Sequence, residues 1–119
     1  MRKELIENNP LLKHTILFSL MIIEYCEILN RSGKYIISKQ LLRSATSIGA
    51  NAMEAQNAES KADFIHKIKI AAKEADETQY WLMLCEFSLE YPDCKHLSDK
   101  LPGIQKILNA ILGTAKKRS

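Results

Sequence analysis

The spacing of small and apolar residues between positions 41 and 89 constrains the fold more than any other feature of the sequence. These residues recur at alternating gaps of four and three, in two runs separated by a polar segment. The runs are Leu41, Ala45, Ile48, Ala52, Ala55 and then Phe64, Ile68, Ala71, Ala75, Thr78, Leu82, Cys85, Leu89. Such gaps place every member of a run on one side of an α-helix, so the runs predict two helices packed side by side in opposite directions. The alanines predict that the two backbones approach closely at the middle of the pair.

Signals at the helix ends predict two further helices, one on each side of this pair. Asn9 is a good cap for a first helix, and Gly33 favours the left-handed conformation that closes it. Ser38 is expected to cap the second helix, Pro92 to end the third and Pro102 to begin the fourth. The predicted helices span about 9–31, 38–57, 61–91 and 102–116, after a frayed lead-in over 1–8. Four helices with short links predict an all-α fold, an antiparallel up-down-up-down four-helix bundle formed by the single domain 1–119.

Composition predicts a cytoplasmic protein. The three cysteines are an odd number, which favours a reducing compartment over a disulfide framework. The most apolar run covers nine residues, 15–23. A membrane span needs roughly 20 apolar residues, so no membrane segment is predicted. The net charge of +3 permits weak attraction to nucleic acid or to an anionic surface and proves neither.

Opposite charges provide a test of how the two central helices are aligned. Folding the chain back near Glu59 brings Arg43 towards Asp76 and Glu77. The same fold brings Glu54 towards Lys61 and Lys67, so both juxtapositions are favourable.

Apolar residues cover more of the third helix than a lone bundle needs. Between Tyr80 and Leu89 only Glu86 and Ser88 interrupt them. Because one apolar face per helix is enough for a core, we expect a homo-oligomer. Its candidate interface residues are Trp81, Leu84 and Phe87. The alternative is an irregular bundle whose own loops cover these side chains.

The stretch Gln40-Leu-Leu-Arg-Ser-Ala-Thr-Ser-Ile-Gly-Ala-Asn-Ala-Met-Glu-Ala resembles the signature of one bacterial family. These are the four-helix bundle proteins encoded in intervening sequences of 23S ribosomal RNA genes, with the pattern Gln-Leu-x-Arg-x-Ala-x-Ser-Ile-x-x-Asn-Ile-x-Glu-Gly. The signature positions Arg43, Ser47, Asn51 and Glu54 match, and Glu77 matches a later block. Ala52 and Ala55 depart from the pattern, as does the pair Lys73-Glu74 where the family commonly has Gly-Ser.

The resemblance implies a ring of five subunits with no established catalytic activity. The family is similar to the accessory variability protein of diversity-generating retroelements, a basic pentameric barrel that binds nucleic acid and a reverse transcriptase. The resemblance therefore implies a ring-forming bundle with a role in binding RNA or DNA.

A polar line and a basic set are the candidate sites. Arg43, Ser47, Asn51 and Glu54 lie at gaps of four, four and three along the second helix. They form either a partner surface or, as we favour, a structural set bonded to the third helix and to one another. The candidate phosphate contacts are Lys61, Lys67, Lys69, Lys73, Lys116, Lys117 and Arg118. The alternative for this second set is an ordinary solvated face.

No catalytic, cofactor or metal site is predicted. Asp63 and His66 form an i, i+3 pair, but a di-metal bundle needs such a pair on two helices. Cys94 and His96 supply only half of a structural zinc site. No glycine-rich phosphate loop is present.

Three functional hypotheses follow from the sequence. The first is a non-enzymatic ring that binds nucleic-acid backbones without sequence preference. The second is a structural or adaptor oligomer that binds another protein, and the remote third is an enzyme using Glu54, Glu77 and His66.

Overall fold

The computed structural model describes residues 2–117, apart from the side chains at positions 2, 5 and 117. A short helix α1 (Arg2–Glu7) precedes four long helices. These are α2 (Pro10–Arg31), α3 (Tyr35–Ala55), α4 (Lys61–Phe87) and α5 (Lys95–Lys117). Within the described residues there is no strand, and the predicted all-α four-helix bundle is confirmed. The lead-in was wrongly expected to lack structure, because it contains α1, which packs on α2.

Each long helix packs on its two neighbours around a square. The contacts join α2 to α3, α3 to α4, α4 to α5 and α5 back to α2. Position 15 of α2 lies against position 49 of α3, and Glu54 of α3 pairs with Lys67 of α4. Together with one further contact in each pair, these show that α3 runs opposite to both neighbours. Between α2 and α3, the Ser38 hydroxyl donates to the Cys26 carbonyl oxygen at 3.2 Å. Between α3 and α4, the Thr78 hydroxyl donates to Ser44 Oγ at 2.9 Å.

The two predicted runs form the seam between α3 and α4. All members of the first run are buried, and the second run is buried from Ile68 to Cys85. Phe64 packs partly buried against the core, and Leu89 lies beyond the end of α4 in the solvent. The inner faces of α2 and α5 complete the same core. Ala45 and Ala71 are 1% and 0% exposed, as the close pairing of the helices requires.

Helices α2 and α3 approach each other closely at Gly49. A Cβ atom on Gly49 would lie 3.2 Å from Thr15 Cβ, tighter than ordinary van der Waals contact. Thr15 itself is buried and donates its hydroxyl hydrogen bond to the carbonyl of Leu11 in its own helix at 2.8 Å. A Cβ atom at position 49 would therefore require Thr15 to shift by a few tenths of an ångström.

The cap prediction was right for α2 and wrong for α3, and α4 has a serine cap. The Asn9 carboxamide oxygen accepts from the Leu12 N–H, and the Ser60 hydroxyl accepts from the Asp63 N–H. Gly33 takes the predicted left-handed conformation, with φ of 77°. Ser38, however, lies inside α3, which begins at Tyr35. Ser38 is buried against α2, so its hydroxyl bonds across the helix pair instead of capping.

The third predicted helix ends earlier than expected, at Phe87 rather than at position 91. Ser88 is extended, and the carbonyl of Pro92 accepts the Tyr25 hydroxyl at 2.7 Å. Tyr91 cannot easily be helical because it precedes a proline. The chain therefore leaves the helix before Pro92 and crosses back over the end of α2.

The fourth predicted helix begins earlier than expected, and Pro102 lies inside it. The Asp93 carboxylate accepts from the Lys95 N–H, and the Cys94 carbonyl accepts from the N–H groups of Leu97 and Ser98. Cys94 and Leu97 are 1% and 0% exposed. Burying a large aliphatic side chain contributes roughly 1.5–3 kcal/mol, which offsets much of the ~3 kcal/mol that an interior proline costs.

Candidate functional site

The predicted polar line lies along the edge between α3 and α4. Arg43 Nη1 lies 3.1 Å from Glu74 Oε2, and Arg43 Nη2 contacts the Glu77 carboxylate. Trp81 Nε1 donates to the same carboxylate at 2.9 Å. The Trp81 N–H and then the Arg43 guanidinium hold the pKa of Glu77 below its ordinary value. Glu77 is therefore ionised and shared between a cation and an indole N–H.

Further along the same edge, Glu54 pairs with Lys67, whose Nζ lies 2.9 Å from the Glu54 carboxylate. Ser47 donates its hydroxyl to the Arg43 carbonyl at 2.6 Å, and Asn51 donates its amide to the Ser47 carbonyl at 2.9 Å. The sequence favoured a structural role for the polar line, and these are the contacts that such a role predicts. Whether the edge also meets a partner stays a prediction.

Two of the predicted charge neighbours are absent from this edge. Asp76 accepts a hydrogen bond from Gln105 of α5 at 3.2 Å, so it belongs to the opposite side of α4. Lys61 lies in the first turn of α4 beside an apolar groove of about 570 Å³, whose walls include Phe64 and Ile111. Asp76 and Lys61 lie at about the expected height along α4, but they face away from the edge because of their positions around the helix axis.

The basic set divides into paired and unpaired lysines. Lys67 is held by Glu54. Lys69 and Lys73 are exposed, lie one helical turn apart on α4, and form no ion pair with any side chain that the structure describes. Lys61 and Lys116 are also exposed, at the bundle end where α4 begins and α5 finishes. Lys117 ends α5, and Arg118 lies outside the described residues.

The outer surface of the second half of α4 exposes large apolar and aromatic side chains. Tyr80 is 56% exposed, Leu84 37% and Phe87 75%, while Trp81 is partly buried above Glu77. We call these four residues the aromatic ridge. Taking about 200 Å² for a large side chain, the ridge leaves roughly 400 Å² of mostly apolar surface in contact with water. The irregular-bundle alternative, in which loops of the same chain cover these residues, does not hold for Tyr80 and Phe87.

A third apolar surface lies between α2 and α3 and was missed by sequence reasoning. It is a groove of about 330 Å³, which we call the α2–α3 groove. Its walls are Thr15, Ile16, Ser19, Leu20, Thr46, Gly49, Ala50 and Met53. None of these residues is charged. The sequence signal was the i, i+4 repeat of Ile16 and Leu20 on α2 and the small residues on the facing side of α3. These residues form a concave surface only once the two helices are paired.

The three cysteines lie in the core around Tyr25. All three are free thiols and buried. Burial raises the pKa of Cys85 to about 11 and raises the pKa of Cys26 and Cys94 as well. Protonated, buried thiols are poor nucleophiles, so this cluster packs the core and offers no reactive centre.

The candidate metal and catalytic residues are not brought together. Asp63 accepts from the Glu59 N–H at 3.2 Å and so completes the cap of α4. Within residues 2–117 no group of three or more His, Cys, Asp or Glu side chains is placed to hold an ion. Glu54 lies level with its partner Lys67 on α4, and Glu77 lies ten residues further along the same helix. The two carboxylates are therefore about 15 Å apart along the helix axis. No helix in this part of the chain is long and apolar enough to cross a membrane.

Fold and surface together define a class of protein. It is a small helical bundle whose charged edge is internally paired and whose remaining surface carries free lysines and uncovered apolar side chains. The chain belongs to the family of 23S rRNA-intervening sequence proteins, whose family model matches residues 7–110. This confirms the family resemblance seen in the signature stretch.

A solved structure has the same fold. It is a protein of unknown function from the S23 ribosomal protein family of Bacteroides thetaiotaomicron VPI-5482, at 1.70 Å resolution, with a TM-score of 0.81 and 39% identity. The match covers 86% of this chain and 97% of that one. No curated protein matches the chain. Neither the family's nor the neighbour's description attaches an enzymatic activity to these proteins.

Proposed function

We propose that the protein is a non-enzymatic, cytoplasmic bundle that assembles into a ring of five and binds the phosphate backbone of RNA or DNA. The observation that carries the binding step is the pair Lys69 and Lys73, whose ammonium groups point into solvent without a carboxylate partner among the described residues. Lys61 and Lys116 add positive charge at the adjoining end of the bundle.

A ring would convert this modest charge into a useful binding surface. One subunit offers few phosphate contacts, and its net charge is only +3. Each neutralised phosphate releases a condensed counterion, so contacts repeated around a ring add up to strong, salt-dependent binding. The proposal keeps the expectation, taken from sequence resemblance alone, that the family is similar to the accessory variability protein, a basic barrel.

The mode of binding is expected to be independent of base sequence. Lys69 and Lys73 are exposed on a bundle helix, and no Phe, Trp or Tyr lies within four residues of either along α4. Base-specific readout needs side chains that enter a groove or stack on bases. Contacts to the backbone are what exposed lysines of this kind make.

The test compares labelled RNA and duplex DNA at low and physiological salt. We expect affinity to fall steeply with salt, and the double variant Lys69→Glu/Lys73→Glu to reduce the salt slope by roughly one for each phosphate that a replaced lysine neutralised. A matched control is Arg31→Glu/Lys106→Glu, which changes the net charge equally at exposed positions elsewhere. Equal reductions of affinity in both double variants would show that only net charge matters and would contradict this site.

The second candidate is a structural or adaptor oligomer that binds another protein. The uncovered aromatic ridge favours it, because exposed apolar patches mark interaction surfaces. Absence of RNA and DNA binding even at low salt would leave this function and exclude the first.

A further inference from the structure

We infer that the subunits join head to tail, with the aromatic ridge of one copy seated in the α2–α3 groove of the next. This inference rests on the ring assembly proposed above and specifies which two surfaces form it.

The two surfaces differ in shape, so that one can receive the other. The α2–α3 groove is concave, because Thr46, Gly49 and Ala50 leave room between the larger walls of Ile16 and Leu20. The aromatic ridge is convex, because Phe87 is 75% exposed and Tyr80 is 56% exposed. A contact between unlike surfaces is heterologous, and a heterologous contact that closes on itself makes a ring.

The two surfaces also match in polarity. No residue of the groove wall or of the ridge is charged. Leu20 is 55% exposed and Ile23, one turn beyond it, 41%, so the groove edge exposes apolar surface much as the ridge does. A second copy of the chain covers both surfaces in one repeated contact. An unrelated partner that filled one of them would leave the other in water.

The aromatic ridge accounts for part of an interface of ordinary dimensions. Its roughly 400 Å² is about half of the ~800 Å² that each partner buries in a standard interface. The neighbouring turns of α4 and the exposed start of α3, where Ile36 is 81% exposed, lie next to it. Ile36 and Leu84 are each seven residues from the Arg43–Glu77 pair, so they extend the same edge.

The ridge and the groove lie on different sides of α3. The ridge belongs to the α4 side, beside the Arg43 and Glu77 pair, and the groove belongs to the α2 side. A subunit can therefore contact one neighbour through each surface at the same time, which ring closure requires.

The experiment breaks each surface separately and then mixes the variants. Leu20→Glu places a charge in the groove, and Phe87→Glu places one on the ridge; both positions are more than half exposed, so the fold should survive. We expect each variant alone to be a monomer by light scattering, with helicity unchanged by circular dichroism. Mixed in equal amounts, the variants should form a heterodimer of twice the 13.6 kDa chain mass, since one intact groove meets one intact ridge.

The outcomes separate this inference from the ring itself. A monomeric parent protein would overturn both. An oligomeric parent whose mass survives either substitution, or a mixture that stays monomeric, would overturn the head-to-tail contact and leave the ring. Ala50→Glu with Leu84→Glu repeats the mixing test, and Lys106→Glu, an exposed position outside both surfaces, should keep the parent mass.

Discussion

Replacing Ala71 by leucine tests the close packing of α3 and α4. Ala71 is 0% exposed, and so are Ala52 of α3 and Ala75 of α4. The hydrogen bond from Thr78 to Ser44 fixes the register, so Ala71, two turns before Thr78, lies level with the turn of α3 that holds Ala52. The leucine would add three carbon atoms between two helices that have only small residues there.

The sign of the effect depends on whether space exists for those atoms. In an empty cavity, three buried carbons would stabilise the fold by roughly 2 kcal/mol. Between helices already in contact, they force backbone shifts that cost about 1–3 kcal/mol. We expect the second case, a destabilisation of about 2 kcal/mol, which for a chain of this length lowers the melting temperature by roughly 8 °C.

The assay is urea unfolding followed by circular dichroism at one fixed protein concentration, because assembly would make stability concentration-dependent. The matched control is Ala62→Leu, the same change on an exposed position of α4, which should stay within about 0.5 kcal/mol of the parent. An Ala71→Leu protein as stable as the parent, or more stable, would refute the claim that the helices touch at this position.

The remaining predictions concern assembly, thiol reactivity and acid stability. Trp81→Glu should convert the oligomer to a monomer with helicity retained, and equal masses by light scattering would remove Trp81 from the interface. Because burial raises the pKa of Cys85 to about 11, iodoacetamide at pH 8 should label the native cysteines slowly and the unfolded ones fast; equally fast labelling of both would contradict their burial. The lowered pKa of Glu77 means that its contribution to stability is present above the unfolded value near 4.5 and is lost as pH falls through the folded pKa. Glu77→Gln should therefore cost about 1 kcal/mol or less near pH 7 and nothing at pH 2, and a difference unchanged by pH would refute this.

Apolar spacing and charge order predicted most of the bundle. The gaps of four and three identified the buried faces, because a helix returns to the same side at those intervals. The pairs Arg43–Glu77 and Glu54–Lys67 were predicted from the register alone and are present. The sequence did not predict that Lys69 would lack an ion-pair partner among the described side chains. Lys67 is only two residues away and is paired, so the outcome depends on which direction each side chain faces around the helix axis.

The sequence by itself determined that the chain is helical, which faces of α3 and α4 are buried and which helices are neighbours. These properties depend on local periodicity and on short links, which leave few alternatives. The tertiary structure decided where α3 and α5 begin and where α4 ends, and it decided which exposed side chains form a groove or a ridge. Helix ends depend on burial against distant segments, as at Leu97, where the packing of α5 outweighs the proline at 102. The shape of a surface depends on two helices at once, and no single segment of sequence records it.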